Sequence, residues 1–193
     1  MKTDGKRSDD AAHILRRDKA LVKDVLHGKT ESFATLMSLY VKRVQALGFS
    51  FFRNPTDTED FVQDVFLKVY RHLESFRGES SFATWLTRIA YNTAINTRTR
   101  AKDVLPLEGE IELPSSISTP EETQLRRFTR EAVQEAVKEL PDQYAVCLIF
   151  YFFHDFSYEE IAIITGFPVN TIKSHIFRAK KILRQKLKDY SVQ

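Results

Sequence analysis

The sequence predicts an all-α protein made of two small helical domains, a four-helix amino-terminal bundle and a carboxy-terminal helix-turn-helix domain, joined by an acidic linker that contains proline. Three observations carry that expectation. Apolar residues recur at spacings of three and four through most of the chain, and no segment alternates apolar and polar residues as a strand would. Residues 101–122 break the rhythm with Pro106, Pro114 and Pro120, and hold six acids against one Lys, a local charge of −5. Proline removes a backbone donor and fixes φ, so no long helix runs through that stretch. Beyond it, residues 156–186 read FSYEEIAIITGFPVNTIKSHIFRAKKILRQK, two short amphipathic segments around an isolated glycine.

Taken in order, residues 1–17 are charged and polar and are expected to be a flexible terminus. A short helix is expected from Asp18 to His27, and Gly28 separates it from a longer one beginning near Glu31. The longer helix places Phe33, Leu36, Tyr40, Val44, Leu47 and Phe51 on one face. Asn54-Pro55 marks a turn, and Thr56 with Glu59 has the spacing of a capping box for a helix from Asp57 to about Leu73. That helix buries Val62, Val65, Phe66, Val69 and Leu73, and a loop with Gly78 leads to a fourth helix over 81–100. The first domain is therefore 18–100, the linker 101–122, and the second domain 123–190. The second opens with a helix bearing Leu125, Phe128, Ala132, Ala136 and Leu140, and Pro141-Asp142 starts the next.

In the helix-turn-helix stretch, Ser157 and Glu160 have capping-box spacing, so each side chain can satisfy an orphan N–H at a helix start. Gly166 stands where the chain must reverse, and Pro168 suits the opening of the following helix. Val169, Ile172, Ile176, Ala179, Leu183 and Leu187 form that helix's apolar stripe. From Val169 to Tyr190 there are seven Lys or Arg against one Asp. Base-reading side chains near the start of a helix, with cations beyond them, suit a major groove, where phosphates attract and base edges specify.

A second basic face lies on the 81–100 helix. Trp85, Arg88, Asn92, Asn96 and Thr99 follow steps of three and four, while Phe82, Leu86, Ile89 and Thr93 line the neighbouring face. An aromatic ring among Arg and Asn side chains suits unpaired bases, whose faces are free to stack.

The net charge of +3 is modest, so an affinity for nucleic acid has to come from such local patches. Cys147, the single cysteine, cannot form an internal disulfide and offers no paired metal ligands. Asp57, Asp60 and Asp64 share one helix face, but no His or Cys joins them at ligand spacing, and acids are favoured near a helix start by the dipole alone. A docking face for a basic partner is the reading that remains. Neither catalytic residues nor a cofactor site is expected, and no apolar run has the length of a membrane span.

Three stretches resemble a known family, the bacterial RNA polymerase sigma factors of the sigma-70 family, in their extracytoplasmic-function (ECF) class. DTEDFVQDVFLKVYRHLESFRGESSFATWLTRIAYNTAIN (57–96) is similar to the family's core-binding and −10-reading segment. LPDQYAVCLIFYFFHDFSYEEIAIITGFPVNTIKSHIFRAKKIL (140–183) is similar to its −35-reading domain, and DKALVKDVLHGKTESFATLMSLY (18–40) to its lead-in helices. The resemblance implies a factor that directs core RNA polymerase to specific promoters and assists DNA melting, without catalysis or cofactor of its own.

It also implies roles for particular residues. Asp60, Gln63, Asp64, Leu67 and Lys68, with Phe61 and Phe66 close by, correspond to the surface that docks on the clamp helices of the polymerase β′ subunit. Arg77, Trp85, Arg88, Asn92 and Asn96 match the neighbourhood that engages the −10 element. Asn170, Thr171, Lys173, Ser174, His175, Phe177, Arg178 and Lys181 match the −35-reading helix. Other members often have Arg where this chain has Lys173 and His175, and Lys lacks the two-pronged contact that Arg makes to guanine. Implied partners are core RNA polymerase through the β′ clamp helices and β flap, promoter DNA and an anti-sigma factor, with no small-molecule substrate; the implied setting is the cytoplasm. The alternative is a stand-alone helix-turn-helix regulator with an amino-terminal effector or dimerisation domain.

Overall fold

The computed structural model describes the backbone of residues 4–102, 136–137 and 139–190. All regular structure among them is helical, and the chain divides into two compact units, Met1–Gly109 and Glu110–Gln193. The first unit contains α1 (Asp4–Leu26), α2 (Thr30–Phe52), α3 (Pro55–His72), a 3₁₀ turn (Leu73–Ser75) and α4 (Phe82–Lys102). The second contains α5 (Asp142–Phe152), α6 (Tyr158–Thr165) and α7 (Val169–Tyr190). The acidic linker, 101–122, lies outside the described residues except for Ala101 and Lys102, which close α4. Leu125, Phe128 and Ala132 lie outside them too, whereas Ala136 and Leu140 are buried.

Two boundaries differ from expectation. The first helix begins at Asp4 and not at Asp18, so most of the segment expected to be flexible is helical. The start of α3 is set by Asn54, whose side chain accepts from the N–H groups of Thr56 (2.9 Å) and Asp57 (3.4 Å). Pro55 at the first helical position has its φ already preset and has no donor to lose. The helix thus starts before Thr56, and the expected Thr56–Glu59 box does not form.

The core of the first unit is built from Leu36, Tyr40, Val44, Leu47 and Phe51 on α2, Val65, Phe66 and Val69 on α3, and Phe82, Leu86, Ala90 and Ala94 on α4. Two local devices hold it in register. Asp18 of α1 is 1% exposed, accepts from Arg17 Nη2 at 2.8 Å and receives the Tyr40 hydroxyl of α2. Burial and that hydrogen bond keep the Tyr40 phenol above its ordinary pKa, so it remains a donor throughout the neutral range.

Gly48, buried within α2, is the second device. A Cβ there would stand 2.6 Å from Phe61 Cδ1 and 3.2 Å from Thr58 Cγ2, so the missing side chain lets α3 approach. Replacing Gly by Ala inside a helix ordinarily gains up to about 1 kcal/mol. Phe61 is itself packed against Phe52, with ring centroids 5.3 Å apart, and it cannot yield freely. Overpacking of this kind costs about 1–3 kcal/mol. Gly48→Ala is therefore expected to lower the stability of the full chain by about 1–2 kcal/mol in urea unfolding, against the helix-propensity trend.

In the second unit, Leu140, Leu148 and Ala179 form a cluster against which Tyr144, Ala145, Ile182 and Leu183 pack. Ile161, Ile164, Ile172 and Ile176 are buried as well, which seats α6 and α7 together. The capping box is present in both directions, Glu160 N–H to Ser157 Oγ at 3.2 Å and Ser157 N–H to Glu160 Oε2 at 3.0 Å. Gly166 takes φ +77°, a left-handed conformation with little strain only for glycine, and its N–H closes α6 on the Ala162 carbonyl. The Pro168 carbonyl then accepts from Ile172 N–H at 3.0 Å, which starts α7.

Candidate nucleic-acid interface

The two helical units carry the two basic faces separately. On α7 the apolar stripe faces inward, with Ile172, Ile176 and Ala179 buried. Asn170, Lys173, Ser174, Phe177, Arg178 and Lys181 are all exposed, and Thr171 is partly buried. Phe177 is 70% exposed, an outward-facing ring in the middle of this cationic row. Several cations on this helix meet aromatic groups from the preceding helices. Arg178 Nη1 donates to the Tyr144 hydroxyl at 3.1 Å, Lys173 Nζ lies 5.5 Å from the Tyr158 ring centroid, and Lys180 Nζ lies 4.8 Å from that of Phe152.

His175 departs from its expected place among the groove contacts. It is only 9% exposed, and its ring is held by Tyr144 (4.9 Å between centroids) and Phe167 (5.5 Å), with Nδ1 3.8 Å from Cys147 Sγ. The position falls at the edge of the apolar stripe, one residue before Ile176, and the inward side is where there is room for the ring. Burial and the nearby Arg178 charge hold its pKa below the ordinary histidine value. Burial likewise pushes the Cys147 thiol up to about 11, which keeps it a neutral apolar neighbour.

On the first unit, Arg77, Arg88, Asn92 and Asn96 are exposed and Trp85 is partly buried. The Trp85 ring packs on Phe76 (5.4 Å) and Phe82 (5.7 Å), and Phe76 also meets Phe82 edge-on at 5.5 Å. This cluster ties the segment bearing Arg77 to the start of α4. Ser81 begins that helix: its Oγ accepts from Thr84 N–H at 3.1 Å and its carbonyl from Trp85 N–H at 3.1 Å.

On the acidic face of α3, Asp60, Gln63 and Leu67 are exposed, and Asp64 and Lys68 are partly buried. Phe61 and Phe66 are only 4% and 3% exposed, so they cannot supply surface to a partner. Phe66 belongs to the stripe already expected to be buried, and Phe61 joins it because α3 packs against both α2 and α4, which widens the buried arc. Lys68 Nζ bridges Asp64 Oδ2 (2.7 Å) and Thr93 Oγ1 (3.3 Å), joining this face to α4. Sequence reasoning missed the Lys68–Thr93 tie and the Tyr144 and Tyr158 contacts, because each joins residues on different helices.

A capped helix-turn-helix with a cationic outer face, together with a helical bundle that carries a separate basic aromatic face, defines a DNA-reading protein. Family comparison makes the class specific. The model for Sigma-70 region 2 matches residues 36–104, and that for Sigma-70, region 4 matches residues 130–183. The ECF RNA polymerase sigma-E factor of Escherichia coli (strain K12) is 37% identical over 180 residues, covering 88% of this chain and 94% of that protein. The RNA polymerase sigma-H factor of Pseudomonas aeruginosa is 34% identical over 182 residues, covering 89% and 94%. Among solved structures, the sigma factor RpoE, in complex with the anti-sigma factor NepR from Bartonella quintana, matches with a TM-score of 0.67 at 25% identity, over 82% of this chain and 98% of that one. CnrH, in complex with the cytosolic domain of CnrY, shares the fold with a TM-score of 0.66 at 21% identity, over 90% and 98%.

The chain belongs to the sigma-70 family, as an ECF sigma factor with regions 2 and 4. It is a non-catalytic subunit that directs RNA polymerase to promoters, which sets aside the stand-alone regulator. Among the described residues, no helix is long and apolar enough to cross a membrane.

Proposed function

We propose that this sigma factor reads its promoters at two points. The second domain, from about residue 123 to 190, lays α7 in the major groove of the −35 element, with Asn170, Thr171, Lys173, Ser174, Phe177, Arg178 and Lys181 toward the DNA. The first, from about residue 18 to 100, docks on the polymerase clamp helices through Asp60, Gln63, Asp64, Leu67 and Lys68. Its Arg77, Trp85, Arg88, Asn92 and Asn96 hold −10 bases as the duplex opens. Unstacking costs a few kcal/mol per base, which pocket contacts and stacking offset. Residues 101–122 tether the two domains, the β flap is a further contact of the second, and the setting is the cytoplasm. An anti-sigma factor is a proposed regulator, by analogy with the NepR complex.

The observation that carries this reading is the exposed row on α7, in which cations and polar groups surround a 70% exposed Phe177 while the opposite stripe is buried. The test is in vitro transcription with purified core polymerase on promoters selected from a library randomised through the −35 and −10 elements. Promoter-dependent initiation that requires the chain is expected. Initiation no higher than that of core enzyme alone would sink the reading.

A further inference from the structure

Both outward cations in the first half of α7 rest on tyrosines from other helices. Arg178 donates through Nη1 to the Tyr144 hydroxyl of α5. A guanidinium has five N–H donors in a rigid fork, so the one bond to Tyr144 restrains its direction and leaves donors for a base edge or a phosphate. Tyr144 is itself fixed, packed on the Leu140, Leu148 and Ala179 cluster with its ring against His175. The buried histidine is therefore a backing plate for the tyrosine that holds the arginine. Lys173 has a parallel arrangement, since the Tyr158 ring beneath it stacks on Tyr151 at 4.9 Å and 8°.

We propose that Tyr144 and Tyr158 are positioning residues for −35 recognition, holding Arg178 and Lys173 in their reading poses without touching DNA. This rests on the reading that α7 enters the groove. Arg and Lys side chains are rotamer-rich, and ordering them on binding subtracts from affinity. Prior support from a fixed ring reduces that loss. Support also narrows the directions each cation can take, so promoter preference depends on residues of α5 and α6 as well as on α7. For Lys173, which has no fork of its own, a ring beneath supplies the direction that an arginine would carry in its geometry.

The experiment uses the full chain assembled with core polymerase, and the promoter duplex selected from the randomised library. Arg178→Ala is expected to weaken binding about tenfold or more and relax preference at one −35 position. Tyr144→Phe keeps the ring on His175 and removes only the hydroxyl. It should weaken binding about threefold to tenfold and relax the same position. The double variant should be no weaker than Arg178→Ala alone, because the tyrosine acts through the arginine. Tyr158→Leu should behave in the same way relative to Lys173→Ala, while Tyr158→Phe, which keeps the ring, should bind as the parent does. If Arg178→Ala and Lys173→Ala alter neither affinity nor the selected sequence, the groove reading itself fails. If those cations matter but Tyr144→Phe is silent, binds more tightly, adds independently, or weakens every sequence equally with a lowered Tm, the positioning role is overturned.

Discussion

Trp85→Ala is expected to slow open-complex formation by about tenfold or more while leaving closed-complex affinity within about twofold. The asymmetry follows from what a ring can do at each stage. In closed duplex the −10 bases are stacked on one another and offer only edges. Once the strands part, each exposed base face gains a partner, worth about 1–3 kcal/mol on an aromatic side chain. Trp85 is partly buried, with Phe76 and Phe82 packed on it, so its position is set before DNA arrives. The same packing means that truncation also loosens the start of α4. Trp85→Phe controls for this, since it retains a stacking ring and should recover most of the rate. Stopped-flow measurement of the closed and open steps, with Tm recorded alongside, checks the result. Equal losses at both steps would count against stacking on unpaired bases.

Asp18→Ala should destabilise the first unit by about 2–3 kcal/mol, measured by urea unfolding of the full chain. Removing one member of a buried charged pair commonly costs about 3–5 kcal/mol. Here the Arg17 side chain is 34% exposed, so water screens much of the ion pair and that part is discounted. The larger share comes from Tyr40, which is 6% exposed and would lose its acceptor. Tyr40→Phe should therefore cost less, about 1–2 kcal/mol, because Asp18 keeps Arg17. The phenol's pKa is raised in the folded chain, so its contribution is complete below the ordinary tyrosine value and lost as alkali rises through the folded one. If Asp18→Ala and Tyr40→Phe prove equally mild, the tie between α1 and α2 lies elsewhere.

How much of this was readable beforehand depends on the distance between the residues involved. The Ser157–Glu160 box and the Gly166 turn are encoded within a few residues, and they appear where the spacing placed them, whereas the starts of α1 and α3 do not. The split of α7 into a buried stripe and an exposed row is equally local. What spacing does not give is the width of a buried arc. Phe61 flanks the α3 valines, and only the arrival of α2 at Gly48 decides that it lies inside. His175 borders the α7 stripe in the same way, and Tyr144 and Phe167 draw it inward. Asp18 is the extreme case: a carboxylate in a polar segment, buried because of a tyrosine 22 positions away. At the candidate site, most of the outward side chains on α4 and α7 were legible in the sequence, but the supports beneath them were not.

The inward turn of His175 has a practical consequence for redesign. A combinatorial library meant to test α7 as the promoter-reading helix proposed above would ordinarily vary every polar position along it. Including position 175 would spend much of the diversity on variants that disturb the fit of Tyr144, Phe167 and Cys147 around that ring. Diversifying 173, 174, 177 and 178 while holding 175 constant confines the search to the outward side chains, and makes failures to bind interpretable as changed preference instead of damaged packing.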